Sequence, residues 1–274
     1  VLSYQHHYHA GNYADVLKHW LLLECVAHLQ KKDKPFDYID THAGAGLYRL
    51  DSDAARKTGE AVKGVLKLDW DAMPELSLLQ DNLRDDLKNQ RYPGSPLLVS
   101  RLLRPGDKAW LCDLHPSTLR ELEQHCGQRK GNYVRKEDGF KALPGLLPTA
   151  SRRALVLIDP SYEVKSDYQT VVKVATSALH KMAQTQVLIW YPVVDRERIN
   201  QLEKDVKRAG LRNSHLFEIG VADDDKPGMT SSGLIAVNPS WTAPERFKTL
   251  APKLSSTLTE DGKARWRYQV LVPE

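Results

Sequence analysis

The feature that most constrains this chain is an alternation. Short apolar runs stop on small or polar residues and are separated by stretches of helical periodicity. "PFDYID" (35–40), "KAWLCD" (108–113), "ALVLID" (154–159) and "QVLIWYP" (186–192) read as strands. A helical pattern opens at "DVLKHWLLLECVAHLQKK" from Asp15, with Asn12 or Asp15 to start it. Further helices are expected at 116–127, near 139–147, at 166–183 and from Asp195 to about Arg208, with a short strand "NYVRKEDG" among them. Strands that alternate with helices form a mostly parallel sheet covered by helices on both faces. Residues 51–92 break the rule, being polar, charged and helical in pattern. They are expected to form a helical insertion after the first strand, inside a single domain spanning 1–274. "SHLFEIGV", "GLIAVNP" and "RWRYQVLVPE" close the chain as neighbouring strands.

Composition narrows the setting. With 274 residues, 41% of them hydrophobic, the chain can bury one large α/β core. No apolar run is long enough to cross a bilayer and no signal-like segment opens the sequence, so no membrane partner is expected. Cys25, Cys112 and Cys126 lack metal or redox spacing, and an odd number argues against a disulfide framework; a reducing cytoplasm is the expected home. His6, His7, His9 and His19 come with neither a His-Glu-x-x-His helix nor a cysteine set, so no metal site is expected. The net charge of +4 permits nucleic-acid binding without demanding it. No heptad or apolar stripe calls for a dimer, and a monomer is expected.

The strand ends carry the chemistry. The first runs into "DTHAGAG", where Gly44 and Gly46 leave room for a ligand against the backbone. A third glycine of the dinucleotide fingerprint is replaced by Arg49, and an ordinary tight turn would also explain the pair. The second ends at Asp113, suited to accept from two ribose hydroxyls, or to cap the helix that follows His115-Pro116. The third ends at Asp138-Gly139, a turn that in such folds lies beside an adenine. Each is weak alone. Their order along one carboxyl edge suggests an adenosyl ligand.

The fourth strand ends in "IDPSY", one residue away from the Asp-Pro-Pro-Tyr box of adenine-N6 methyltransferases, which it resembles. Adenine N6 is a poor nucleophile because its lone pair is delocalised into the ring. Asp159 and the Pro160 carbonyl would each accept one N6–H, turning lone-pair density toward a donor methyl, with Asp159 placed to take the surplus proton. Tyr162 would stack on the base. Ser161 departs from the box and loses the stiffness of a second proline. A buried strand leaving its sheet through an Asp-Pro turn is the plainer reading.

"LSYQHHYHAGNYADVLKH", "DTHAGAG", "YPGSP", "LHP", "SRRALVLIDPSYEVKSDY", "WYPVV", "GMTSSGLIAVNP" and the closing "VPE" together resemble the bacterial 23S ribosomal RNA adenine-N6 methyltransferases, the RlmJ-like family, once described as serving the use of external DNA. The resemblance implies S-adenosylmethionine as donor. It also implies a Rossmann-like class I methyltransferase fold, with a mixed seven-stranded sheet and the helical insertion. It places donor contacts on Lys18, His19, His42 and Ser95 beside Gly44, the ribose on Asp113 (often Glu in the family), and the donor adenine by Asp138 and Gly139. It makes Asp159 the proton acceptor and sets Tyr4 at the substrate entrance. Without it, Lys18 and His19 would read as a solvent-facing pair on the first helix. Lys165, in the loop "EVKSDY", is expected near a substrate phosphate. Two alternatives stay open: a DNA adenine-N6 methyltransferase, and a non-catalytic DNA-binding protein tied to the use of external DNA.

Overall fold

A computed structural model describes residues 6–274. The first helix, α1 (Tyr13–Gln30), starts where the Asn12 side chain accepts from the Asp15 amide at 2.9 Å. Fourteen of its 18 residues are buried, Asp15, Lys18, His19 and Glu24 among them. Its carboxyl end is closed by two arginines: Arg153 donates to the carbonyls of Leu29 and Lys34, Arg104 to those of Gln30, Lys32 and Lys34. These cations satisfy carbonyls that a helix end leaves open.

Then follow β1 (Asp37–Asp40) and β2 (Leu47–Arg49), and the insertion helices α2 (Asp53–Thr58), α3 (Glu60–Lys63) and α4 (Ser77–Lys88). After β3 (Arg91–Pro93) and α5 (Ser95–Leu102), strands and helices alternate: β4 (Lys108–Asp113), α6 (Pro116–Leu122), β5 (Asn132–Lys136), α7 (Gly139–Leu146), β6 (Ala154–Ile158), α8 (Asp167–Lys181), β7 (Gln186–Val193) and α9 (Arg196–Arg208). The chain ends with β8 (Ser214–Gly220), β9 (Ser231–Val237), α10 (Ala243–Leu258) and β10 (Arg265–Val272).

The sheet order is β10-β8-β9-β7-β6-β1-β4-β5. The five strands from β7 to β5 are parallel; β9, β8 and β10 join antiparallel. Eight strands stand where the resemblance implied seven; "RWRYQVLVPE", read as a closing strand, forms β10 at the edge, on β8. Unforeseen are β2 and β3, which pair antiparallel and draw the two ends of the insertion together. Three residues each are too few for a period to show.

Apolar residues fill both faces of the sheet. One cluster joins α1, α4, α5 and α10, and takes in Val65, Met73, Leu79 and Leu83 of the insertion. The other joins α7, α8 and α9. All three cysteines are buried and free. Among the described residues no helix is long and apolar enough to cross a membrane. Because β1 leads outward to β4 while β6 lies on its other side, the strand order reverses between β1 and β6. The carboxyl edge at such a switch point is where open α/β sheets receive ligands.

Candidate active site

A cavity of about 400 Å³ opens over that switch point, within the usual range for small-molecule sites. The turns after β1, β4, β5 and β6 wall it, together with the amino-terminal half of α1. Lys18, His19, His42, Gly44, Ser95, Asp113, Asp138, Gly139, Asp159 and Pro160, scattered through the chain, all reach this one wall.

Its floor is Asp40. This fully buried carboxylate takes the Tyr38 hydroxyl at 2.6 Å and the Ser95 hydroxyl at 2.7 Å, both on Oδ2. Burial pushes its pKa up to about 6. Beyond it Gly44 has φ +69°, and a Cβ there would meet the Tyr48 hydroxyl at 2.4 Å. The Gly44 amide instead donates to Asp113 Oδ2 at 3.1 Å, while the His115 amide donates to Oδ1 at 2.8 Å. Asp113 therefore spans two loops and does not cap α6, whose N-cap residue is His115. Each of its oxygens keeps a lone pair, as a carboxylate that holds a diol requires. Burial raises its pKa.

Asp138 caps α7, accepting from the amides of Phe140 and Lys141. A Cβ on Gly139 would lie 1.9 Å from the Thr41 carbonyl, so only glycine lets α7 start against the turn after β1. His42 packs edge-on against Phe140 at 4.8 Å, and burial holds its pKa down at about 4.

Lys18 and His19 are 5% and 1% exposed, which overturns the solvent-facing reading. The Lys18 ammonium bridges Asp15 Oδ1 at 3.0 Å and Asp159 Oδ2 at 2.7 Å, 5.7 Å from the Trp190 ring centroid. Asp15 is held in turn by the Gly11 amide and by His6, each at 2.9 Å. Burial works to raise the Asp15 pKa, yet the charges of His6 and Lys18 hold it well below the carboxylate range. Among the described residues Asp159 Oδ1 makes no hydrogen bond. The Pro160 carbonyl likewise accepts none from them.

A second cavity, of about 320 Å³, lies against the first. Lys18, Asp159, Ser161 and Trp190 belong to both walls, and its far side is formed by His9, Glu60, Pro192, Val194 and Met229. Tyr162 lines neither. It is buried, with φ +56°, its hydroxyl donating to the Trp190 carbonyl at 2.5 Å and its ring tilted on Tyr168 at 4.4 Å. The aromatic ring beside Asp159 is that of Trp190. Sequence reasoning passed over it because "QVLIWYP" reads as an all-apolar strand. Lys165 is exposed, outside both walls. Tyr4 lies outside the described residues.

The family model described as ribosomal RNA large subunit methyltransferase D, RlmJ, matches residues 33–272. The chain belongs to this family. It is 39% identical over 282 residues to the ribosomal RNA large subunit methyltransferase J of Haemophilus influenzae, and 40% identical over 281 residues to that of Escherichia coli; both matches cover all of each chain. The solved structure of protein LPL1258 from Legionella pneumophila matches with a TM-score of 0.85 at 32% identity, covering 95% of this chain and 98% of that one. The enzyme is thus a methyltransferase with S-adenosylmethionine as its donor. The larger cavity fits that donor. It offers a glycine turn and a strand-end carboxylate to an adenosine, and a buried imidazole nitrogen without a partner among the described residues, His19 Nε2, to the amino-acid part.

Proposed function

We propose that the enzyme methylates the exocyclic N6 of an adenine in 23S ribosomal RNA, with the donor in the larger cavity and the target base in the smaller. The observation that carries this reading is the place of Asp159, on the wall common to both, with one oxygen held by Lys18 and the other open. Bound S-adenosylmethionine supplies an electrophilic methyl group. Gly44, Asp113, Asp138 and Gly139 hold its adenosine; His19, His42 and Ser95 hold the remainder, with Lys18 at the junction.

Where the two cavities meet, Asp159 Oδ1 on the shared wall and the Pro160 carbonyl at the edge of the larger cavity accept the two N6 hydrogens. The nitrogen lone pair is thereby turned out of conjugation and toward the donor cavity. Asp159 then takes the proton that N6 loses as its new bond forms. Trp190 stacks on the base, and Tyr162 acts beneath it, fixing the Trp190 backbone through its hydroxyl. Lys165 meets a phosphate of the RNA outside the cavities. The insertion, residues 51–92, contributes Glu60 to the substrate side. The enzyme works as a monomer in the cytoplasm.

Methyl transfer from labelled S-adenosylmethionine to unmodified 23S RNA, assembled large subunits and adenine-containing DNA tests the proposal. Digestion and mass spectrometry identify the product. N6-methyladenosine in RNA alone is the expected result. Methylation of the DNA at an equal rate would overturn the RNA assignment, and a product modified at another atom would overturn the role of Asp159.

A further inference from the structure

Opposite the two cavities, the amino ends of the parallel strands form an edge of a different kind. Asp37, Lys108, Ala154 and Gln186 start their strands there, and β9 ends beside them at Val237. Lys31, Lys32 and Lys34 leave α1 onto this edge, Arg152 and Arg153 precede β6, and Trp241 follows β9. The three lysines, Arg152 and Trp241 are exposed, Trp241 at 73%.

These segments make one surface. The Lys31 ammonium lies 5.5 Å from the Trp241 ring centroid. Arg153 and Arg104 both donate to the Lys34 carbonyl. Gln184 donates to the Arg152 carbonyl at 3.0 Å, and Asn238, just before Trp241, donates to the neighbouring Ala183 carbonyl at 2.9 Å.

Its charge is uncompensated. Among the described residues Lys31, Lys32, Lys34, Arg152 and Arg153 form no ion pair, whereas Arg104 is held by Asp107. Arginines at the carboxyl edge are held by two acids each: Arg196 by Glu218 and Asp224, Arg265 by Asp223 and Asp261. Of the carboxylates in 30–37, 104–108 and 151–153, Asp37 and Asp107 are buried and bonded inward, and Asp33 alone is exposed. Burial, and then the charges of Lys31, Lys32 and Arg153, lower the His28 pKa, as a positive field does.

We infer that this edge is a second contact surface for the substrate RNA, where the cations meet phosphates far from the target adenine and Trp241 stacks on an unpaired base. The inference rests on the reading of ribosomal RNA as the substrate. Unpaired cations around an exposed aromatic ring suit a polymer that offers both phosphates and bases. A lipid surface would ask for several exposed apolar side chains. In 28–37, 104–108, 151–153 and 238–242 Trp241 is the one large side chain of that kind. Strands β6 and β7, of five and eight residues, separate this edge from the cavities by roughly 16–26 Å. A short hairpin bound at the cavities therefore leaves the surface empty, and a long RNA fills both.

Two variants of the full chain test this: Lys31→Gln, Lys32→Gln and Lys34→Gln combined, and Trp241→Ala. Arg104 and Arg153 stay in place because they close α1. The probes are unmodified 23S RNA and a short hairpin cut around the methylated adenine, with binding measured over a range of salt. The triple variant should bind 23S RNA about tenfold more weakly, and its salt slope should fall by about two to three. Trp241→Ala should weaken the same RNA at least about fivefold with the slope unchanged. Neither should change the affinity for the hairpin or for S-adenosylhomocysteine by more than about twofold, which also shows that both variants fold. Equal weakening of 23S RNA and hairpin, or of neither, overturns the inference. So does a triple variant that keeps its affinity for 23S RNA but loses binding to anionic phospholipid vesicles. If the wild type neither bound nor methylated either RNA, the substrate reading itself would fall, and this inference with it.

Discussion

The larger cavity is walled by consecutive strand ends, whereas the smaller one gathers segments scattered from His6 to Met229. In the first, the backbone does the placing: β1, β4, β5 and β6 lie in register, and each delivers its terminal residue to the same edge. In the second, side chains hold the wall together. Glu60 of α3 accepts from His9 at 2.7 Å and from Asn12 at 3.0 Å, Thr58 donates to the Tyr8 carbonyl, and the Val65 amide donates to the Gly11 carbonyl at 2.8 Å. The insertion thus straps the amino-terminal segment across the substrate side. A substitution in the larger cavity should act locally and on the donor. One in the smaller cavity should act on substrate through the geometry of a wall.

Asp159 belongs to both, and the largest effect is expected there. Asp159→Asn keeps the shape but removes the proton acceptor, so kcat should fall about 10²–10⁴-fold. S-adenosylhomocysteine affinity should stay within about threefold, since the donor wall is carried by other residues. Single-turnover transfer and calorimetry measure the two separately. More than a tenth of normal activity would remove Asp159 from the chemistry.

Asp40 probes the layer behind the strand-built wall, to which Ser95 ties it. Its pKa is raised from 3.8 to about 6 by burial, so the folded protein holds this proton more tightly than the unfolded chain does. The carboxyl costs nothing extra below pH 3.8, and its penalty grows as pH rises through about 6. Two units correspond to about 3 kcal/mol. Relative to Asp40→Asn, wild-type unfolding free energy should therefore decline by up to about 3 kcal/mol between pH 4 and 7. Denaturant titrations across that range check it, and a flat difference would mean that the Tyr38 and Ser95 hydroxyls already offset the burial.

The same contrast explains what could be read in the sequence. Asp113 ends β4, and Gly44, Asp138 and Asp159 lie in the turns just after β1, β5 and β6, and alternation alone places such turns on one edge. Lys18 and His19 sit in a helix so uniformly apolar that their direction had no periodic signal, and only the family resemblance pointed to the site. Trp190 hides in an apolar run. Glu60 and Asp15 matter through their partners, and from Glu60 to His9 the chain spans 51 residues. No local pattern encodes a contact of that range. The strand β10 was legible as a run and read as a strand; only the seven-stranded count implied by the resemblance fell one short.

A smaller effect is expected at Asp113. Asp113→Ala removes both remaining acceptors for a diol, along with the tie between the Gly44 turn and His115. Donor affinity should drop about tenfold, with kcat at saturating donor nearly unchanged. Calorimetry and a donor-saturation curve would show it. A fall in kcat larger than that in affinity would mean that the tie shapes the reacting geometry too, and would blur the contrast between the walls.

The smallest effect belongs to the strap. Glu60→Gln keeps a carbonyl for Asn12 but removes the charge that faces His9. Both side chains are about one-third exposed, so solvent screens the pair and its worth is under about 1 kcal/mol. The KM for RNA should rise about two- to fourfold, while kcat and S-adenosylhomocysteine affinity stay unchanged. The effect should depend on pH in a definite direction. The hydrogen bond to Glu60, opposed by burial, raises the His9 pKa above 6.5, so its contribution is complete below pH 6.5 and is lost as pH rises through the raised value. The gap in KM between variant and wild type should accordingly be widest in mild acid and close in alkali. A gap that widens with pH would mean that Glu60 acts on the RNA itself, and the smaller cavity would then read its substrate directly.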